Sequence, residues 1–150
     1  MDLNKLKQSI RKSEALKLQL YKCPKGKLTI GYGHNLDNGI TLQVAELMLE
    51  NDILNIKLEL IDKIPFFKNL DDIRQNVLLE MAFNMGVPHL LEFKKTLQFM
   101  QKSDFINASI EMLNSQWHRD LVQMDLMDSK KSKELLRSEY LSKIMKEGVY

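Results

Sequence analysis

Residues 14–34 constrain the fold of this chain more than any other stretch, because they interrupt a pattern that is otherwise helical. Their first part alternates apolar and polar side chains, as a half-buried β-strand does, and the apolar positions are Leu16, Leu18 and Leu20. Pro24 and Gly26 favour a turn, and residues 28–32 return as a second strand. The stretch is therefore predicted to form a β-hairpin.

The segments before and after the hairpin have helical periodicity. In the N-terminal segment the apolar residues recur every three or four positions, at Leu3, Leu6 and Ile10. Residues 42–62 are predicted to form one long helix with two apolar faces, both of which must be covered. After Pro65 the chain is predicted to be helical throughout, with Ser103 as the N-cap of a helix that ends before Trp117. The predicted fold class is α+β, with a hairpin lobe, a long connecting helix and a larger helical lobe.

Glu14 is the first candidate for a chemical role. It follows Ile10 on the apolar stripe of the N-terminal helix, so its carboxyl group is expected to be partly removed from water. Such a place favours the protonated form and suits the group to donate a proton. The local sequence leaves open the alternative of a solvated glutamate at a fraying helix end. Gly31 and Gly33 keep one surface of the second strand bare, which indicates close approach by another group, such as a ligand.

Charge and cysteine content argue against several functions. The net charge is only +2 and the charges are interspersed, so a surface that binds duplex nucleic acid is not expected. Cys23 is the only cysteine and cannot form an internal disulfide, which fits synthesis in a reducing cytoplasm. We expect neither a secretory signal nor a membrane-spanning segment. His89 and His118 lack ligand spacing with acidic residues, so no metal site is predicted.

The spacing of three residues points to a family. Eight residues separate Glu14 from Cys23, five separate Cys23 from Thr29, and Thr29 opens the sequence TIGYGH. This arrangement resembles the phage-type lysozymes (endolysins, glycoside hydrolase family 24), which carry Glu, then Asp or Cys, then the Thr of T-x-G-x-G-H at these spacings. Later segments are similar to further landmarks of that family: AFNMG at 82–86, FKKTL at 93–97 and NSQW at 114–117. The resemblance covers nearly the whole chain.

The resemblance implies a lysozyme-like fold and an activity. The fold would be a single domain over residues 1–150, with a small lobe of about 13–55 and a larger helical lobe of about 65–150 that includes the N-terminal helix, 2–12. The hairpin would form the floor of a cleft. The activity would be hydrolysis of the β-1,4 bond between N-acetylmuramic acid and N-acetylglucosamine in bacterial peptidoglycan, with no cofactor.

The resemblance also assigns catalytic roles. Glu14 would be the general acid that protonates the glycosidic oxygen, and Thr29 would hold the attacking water with help from Cys23. Cys23 departs from the commonest form of the family, which has Asp at this position, and an ordinary thiol is mostly neutral at pH 7. Two mechanisms stay open, in which the sulfur either helps to place water or itself attacks the anomeric carbon. Retention of Thr29 favours the first.

By position, the resemblance to the family also implies residues for substrate binding and for structural pairs. The substrate-binding residues would be Leu36, Phe83, Asn84, Thr96 and Glu111. His34 and Asp52 would form a structural pair that joins the hairpin to the long helix. Either Lys133 or Arg137 would be the basic partner of Glu14. Phe83 and Trp117 also have an alternative interpretation as core aromatics.

The family implies partners and location as well. The protein would be a monomer made in the host cytoplasm, and it would reach the cell wall in the periplasm after a separate holin permeabilises the membrane. Two other functions remain open. One is a catalytically inactive module that binds peptidoglycan. The other is a thiol hydrolase that uses Cys23 with His34 as its base.

Overall fold

The computed structural model of the chain describes residues 2–127 and 136–150. Contacts within the chain divide it into two units, one that ends at Leu49 and one that begins at Glu50. The first unit contains helix α1 (Leu3–Ser13), three short strands and the start of helix α2 (Leu42–Lys63). The long connecting helix predicted at 42–62 is therefore present. The assignment of residues 2–12 to the larger lobe stays a prediction.

The strands form one antiparallel sheet in the order β1-β2-β3. Its members are β1 (Lys17–Lys22), β2 (Leu28–Gly31) and β3 (His34–Asn35). Strands β1 and β2 are the predicted hairpin, and their turn is closed by a hydrogen bond from the backbone N–H of Cys23 to the Lys27 carbonyl, at 3.0 Å. Strand β3 was not predicted, because two residues are too few to show alternation.

Polar contacts around Asp37 hold the end of the sheet together. The Asp37 carboxylate accepts a hydrogen bond from the backbone N–H of Leu28 at 3.2 Å and pairs with the Lys27 ammonium at 3.3 Å. The backbone N–H of Asp37 in turn donates to the side chain of Asn35 at 2.9 Å. These bonds attach the 3₁₀ turn after β3 to the start of β2, and so fix the strand that carries Thr29.

The second unit is helical in its described residues. After α2 its helices are α3 (Asp72–Met85), α4 (Val87–Leu90), α5 (Lys94–Gln101), α6 (Phe105–Leu113), α7 (Gln116–Met127) and α8 (Arg137–Glu147). A mostly helical chain with one small antiparallel sheet confirms the predicted α+β class. None of the helices within 2–127 and 136–150 is long and apolar enough to cross a membrane.

One local prediction in this unit was wrong. The N-cap of α6 is Asp104, whose carboxylate accepts from the backbone N–H of Asn107 at 3.1 Å, and not Ser103. Ser103 has a φ of 58°, in the left-handed region, whereas an N-cap residue needs a more extended backbone. The prediction that Trp117 follows this helix is confirmed, since α6 ends at Leu113 and Trp117 lies in the first turn of α7.

The core of the second unit combines aliphatic and aromatic side chains with several methionines. Four methionines are almost completely buried: Met81, Met100, Met112 and Met145. They pack in one cluster with larger neighbours, which include Leu60, Phe67, Leu78, Leu90 and Leu141. Flexible thioether chains can adapt to the irregular spaces between packed helices. This cluster supports the helices that carry the polar cavity described below.

Arg74 connects three helices at the edge of this core. Its guanidinium donates to the Met145 carbonyl at 2.9 Å and to the Lys146 carbonyl at 3.3 Å, and it pairs with Asp71 at 2.7 Å. It also lies over the Phe105 ring, 3.7 Å from the ring centre. The side chain thus satisfies the last carbonyls of α8, which have no partner within the helix.

Replacement of Arg74 by methionine is expected to lower the free energy of unfolding by about 2 kcal/mol, because a half-buried carbonyl loses its donor. Unfolding in urea, monitored by circular dichroism, measures this change. The urea concentration at the midpoint should be lower, and the dependence of the unfolding free energy on urea should be unchanged. Arg11→Met, at an exposed position on α1, is the control and should change the stability by less than about 0.5 kcal/mol. Equal midpoints for the two variants would contradict the role given to Arg74.

Candidate functional site

Glu14 lies at the point where α1 ends and the chain turns toward the sheet. Its backbone is extended, with φ −106° and ψ 127°, and its N–H donates to the Ile10 carbonyl at 2.8 Å. The carboxylate reaches the turn between β2 and β3, where Oε2 lies 3.8 Å from the place that a Cβ would occupy on Gly33. Gly33 has a φ of 87°, so glycine is favoured there for its backbone as well.

The expected partial burial of Glu14 was wrong, since the residue is exposed. The prediction continued the helical stripe of Ile10 by one more turn, whereas the backbone leaves the helix at Glu14 itself. The carboxylate is accordingly open to solvent beside a glycine turn.

Cys23 and Thr29 meet at the other end of β2. Thr29 is buried, with 4% of its surface exposed, and its hydroxyl donates to the Lys27 carbonyl at 3.0 Å. The Cys23 sulfur is partly exposed, and the Thr29 hydroxyl is near enough to it to lower the pKa of the thiol. The hydroxyl carries a single proton, which can serve the carbonyl or the sulfur. The structure thus brings together two of the three predicted catalytic side chains.

The turn favours the ionised form of Cys23. A hydrogen bond from the backbone N–H of Lys27 is the largest influence, and it lowers the pKa of the thiol below its ordinary value. Partial burial acts in the opposite direction. The backbone N–H of Lys25, the Thr29 hydroxyl and the charge of Lys25 add to the lowering. The net result is a lowered pKa, so thiolate is present at a lower pH than for an ordinary cysteine.

The strand register separates Cys23 from His34. His34 pairs with Ile30, whereas Thr29 pairs with Asn35, and residues directly opposite each other project from the same face of a sheet. Thr29 and His34 therefore belong to opposite faces, and the sulfur lies on the side of Thr29. This arrangement does not provide His34 as a base for Cys23. Leu36, a predicted substrate contact, is half-buried in the 3₁₀ turn after β3.

The second unit contains a cavity of about 780 Å³ between α3, α5, α6 and α7. Two predicted substrate residues line it, Thr96 from α5 and Glu111 from α6. Trp117 forms another wall and meets Phe93 edge to face, with 6.2 Å between the ring centres. Its indole N–H donates to the side-chain oxygen of Asn84 at 2.8 Å. Asn84 thus supports the wall of the cavity.

Phe83 does not fit the alternative of a core aromatic, because 47% of its surface is exposed. Trp117 is half-buried, so it packs on the core and borders the cavity at the same time. The sequence did not identify the other polar residues of the cavity, which are His89, Glu92, Lys94, Lys95, Asn114, Ser115, Gln116 and Asp120.

Two carboxylates of the cavity wall have side-chain partners among the described residues. The Glu111 carboxylate lies 3.9 Å from the Lys95 ammonium, which is mostly exposed. Asp120 accepts a hydrogen bond from the side-chain amide of Gln116 at 2.6 Å. No group of three or more His, Cys, Asp or Glu within the described ranges could hold a metal ion.

The basic partner of Glu14 and the His34–Asp52 pair stay predictions. Arg137 forms an ion pair with Glu80 of its own unit, with 3.6 Å between Nε and Oε1. Lys133, the other candidate, lies outside the described residues. His34 belongs to the first unit and Asp52 to the second.

Known proteins are similar to this chain over most of its length. A family model described as Phage lysozyme matches residues 11–139. Two Dictyostelium discoideum proteins, Probable T4-type lysozyme 1 and 2, are each 29% identical over 147 and 146 residues, which cover 77% of this chain and 86% of the relative. The Endolysin of Acyrthosiphon pisum secondary endosymbiont phage 1 is 30% identical over 110 residues, 69% of this chain and 72% of the relative. The family match spans both Glu14 with its neighbours and the cavity.

Proposed function

The chain belongs to the phage lysozyme family, and from this premise we propose that it hydrolyses the β-1,4 bond between N-acetylmuramic acid and N-acetylglucosamine in peptidoglycan. Family membership gives a lysozyme-like function and a glycosidase at the family level. The specific bond and the lysis of cells are our proposal.

One observation carries the proposal. The Glu14 carboxylate lies against Gly33, at one end of β2, and the same strand carries Thr29 with the Cys23 sulfur within reach. This arrangement supports a mechanism in which a proton donor beside one end of β2 acts together with a polar pair that can hold water near the other end. Acid-catalysed cleavage of a glycosidic bond needs both groups, one at the leaving oxygen and one at the anomeric carbon.

In this mechanism Glu14 protonates the glycosidic oxygen as the bond breaks. Positive charge then develops on the sugar ring, and a negative group close to the ring lowers the barrier. Cys23 can provide that charge because its turn lowers the pKa of the thiol. The Thr29 hydroxyl, which is hydrogen-bonded to the Lys27 carbonyl at 3.0 Å, orients the water that attacks. The Cys23 thiolate accepts the proton that this water loses as its oxygen bonds to the anomeric carbon. Attack by water inverts the anomeric configuration, whereas attack by sulfur followed by hydrolysis retains it.

Digestion of purified peptidoglycan tests the bond and the mechanism together. Reduction of the products with borohydride and mass spectrometry identify the new reducing ends, and we expect them to be N-acetylmuramic acid. Proton NMR of the first product should show the α-anomer, the inverted configuration. New ends of N-acetylglucosamine would contradict the proposed bond, and a retained configuration would favour the sulfur as nucleophile.

We also propose that the protein acts as a monomer on the bacterial cell wall. It would be made in the host cytoplasm and would reach the periplasm after a separate holin opens the membrane. An inactive peptidoglycan-binding module is the second candidate, and the observation that favours it is Cys23 in place of the usual Asp. Binding to peptidoglycan without release of any reducing ends would select this second candidate.

A further inference from the structure

A single peptide group binds both residues that hold water in the proposed mechanism. Its carbonyl, that of Lys27, accepts a hydrogen bond from the backbone N–H of Cys23 and another from the Thr29 hydroxyl, each at 3.0 Å. The N–H of the same planar group belongs to Leu28 and points in the opposite direction. The orientation of this peptide group therefore helps to decide how Cys23 and Thr29 lie relative to each other.

The Asp37 carboxylate holds the peptide group from its N–H side. The pairing of β2 with β3 ends at Thr29 and Asn35, so Leu28 lies one residue beyond it. In place of a strand carbonyl, Oδ1 of Asp37 accepts the Leu28 N–H at 3.2 Å. Oδ2 of the same carboxylate lies 3.3 Å from the Lys27 ammonium. One side chain thus binds the two residues on either side of this peptide bond.

Asp37 is itself fixed by the strand that pairs with β2. Its backbone N–H donates to the Asn35 side chain at 2.9 Å, and Asn35 lies opposite Thr29 in the sheet. The contacts therefore form a closed ring that begins and ends at Thr29. A hydrogen bond to a carboxylate is stronger than one to a neutral oxygen, and it polarises the peptide group so that its carbonyl becomes a better acceptor.

We propose that Asp37 is a positioning residue for hydrolysis, because it orients the Lys27–Leu28 peptide group to which both water-holding residues are bonded. The inference rests on the proposed function, in which Cys23 and Thr29 hold the attacking water. Asp37 acts only through the backbone in this role and has no contact with the reacting atoms. The Lys27 N–H, which has the largest influence on the Cys23 thiol, belongs to the adjoining peptide group and would move with the first.

The pH dependence of Cys23 alkylation by iodoacetamide distinguishes this role from a direct effect of charge. In Asp37→Ala the Leu28 N–H loses its acceptor, and the alkylation profile should move to higher pH by about one unit, toward that of the chain unfolded in urea. The mere removal of a nearby negative charge has the opposite effect, because it favours thiolate and moves the profile to lower pH. A profile that stays in place or moves to lower pH would overturn the inference.

Asp37→Asn tests whether the hydrogen bond or the charge is needed. The amide oxygen can still accept the Leu28 N–H, so the alkylation profile should stay within about 0.3 unit of that of the unaltered chain. If Asp37→Asn moves the profile as far as Asp37→Ala does, the backbone hydrogen bond is not the connection, and the inference fails.

Kinetics on soluble peptidoglycan fragments give a second readout. In Asp37→Ala kcat should fall about tenfold while KM changes by less than about twofold, because water is misplaced but the sugar contacts remain. Asp37→Asn should recover most of this loss. An unchanged kcat in Asp37→Ala would contradict the inference even if the alkylation profile had moved.

Two controls exclude general effects of charge and stability. Asp62→Ala removes an exposed carboxylate of α2 and should change neither the alkylation profile nor kcat. Arg74→Met lowers the stability without a contact to the turn, so its alkylation profile should also stay in place. A shift in Arg74→Met as large as that in Asp37→Ala would show that lost stability alone moves the profile, and would overturn the inference.

The alkylation profile does not depend on hydrolysis, so the two proposals can fail separately. If the unaltered chain releases no reducing ends but Asp37→Ala moves the profile, the positioning of Cys23 is supported and the proposed function alone fails. Hydrolysis at equal rates by the unaltered chain and Asp37→Ala, with coincident profiles, would end the inference and leave the function standing.

Discussion

Replacement of Glu14 by glutamine should lower the rate of peptidoglycan hydrolysis by about 10²–10⁴-fold, the usual contribution of a general acid. Glutamine keeps the size of the side chain beside Gly33, but its amide cannot act as a general acid. Because Glu14 is exposed, the change should leave the fold intact. The measurement is the initial fall in turbidity of Gram-negative cells stripped of their outer membrane.

The matched control is Glu46→Gln, which changes an exposed carboxylate on α2 in the same unit. It should lyse cells at the rate of the unaltered protein. Full lysis by Glu14→Gln would show that Glu14 is not the general acid. If the lysis that remained were abolished by a thiol reagent, the chain would be a thiol enzyme instead.

Alkylation of Cys23 with iodoacetamide should reduce lysis by about 10²-fold, because the added group occupies the space in front of Thr29 where water must be held. The reaction should also begin at a lower pH than for an ordinary thiol. Only thiolate reacts, and a lowered pKa keeps thiolate present as the pH falls. Mass spectrometry of the intact chain gives the rate of alkylation at each pH.

Two controls belong to this experiment. The same chain unfolded in urea gives the pH profile of Cys23 without its turn, and the folded profile should lie at lower pH. The Cys23→Ser variant should keep whatever activity it has after treatment with iodoacetamide. Coincident pH profiles would show that the turn does not activate the sulfur. Undiminished lysis by the alkylated protein would place Cys23 away from the reacting centre.

Strong periodicity made much of the fold predictable. The alternation of Leu16, Leu18 and Leu20 identified the hairpin, and the long apolar pattern of 42–62 identified α2 within one residue. Short or mixed segments were missed. Strand β3 has two residues, and the bounds of α7 were not predicted although the region was expected to be helical. Capping was misplaced by one residue at Ser103, because the sequence does not reveal a positive φ.

The candidate site was predictable only in part. The spacing of Glu14, Cys23 and Thr29 pointed to a family, and the structure adds that the Thr29 hydroxyl and the turn lower the pKa of Cys23. Periodicity misjudged the exposure of Glu14, since burial depends on where the helix ends. The charges that surround Glu111, such as Lys95, come from turns and helix ends that carry no periodic signal.

The four methionines packed in the core of the helical unit bear on how long the protein lasts outside a reducing compartment. While the chain is folded, peroxide cannot reach these thioethers, because they are almost completely buried. A transient opening exposes them, and the sulfoxide that forms is too polar to return to its place. In an oxidising medium, oxidation during such an opening can thus make the unfolding irreversible. The working lifetime there would follow the rate of unfolding rather than the equilibrium stability.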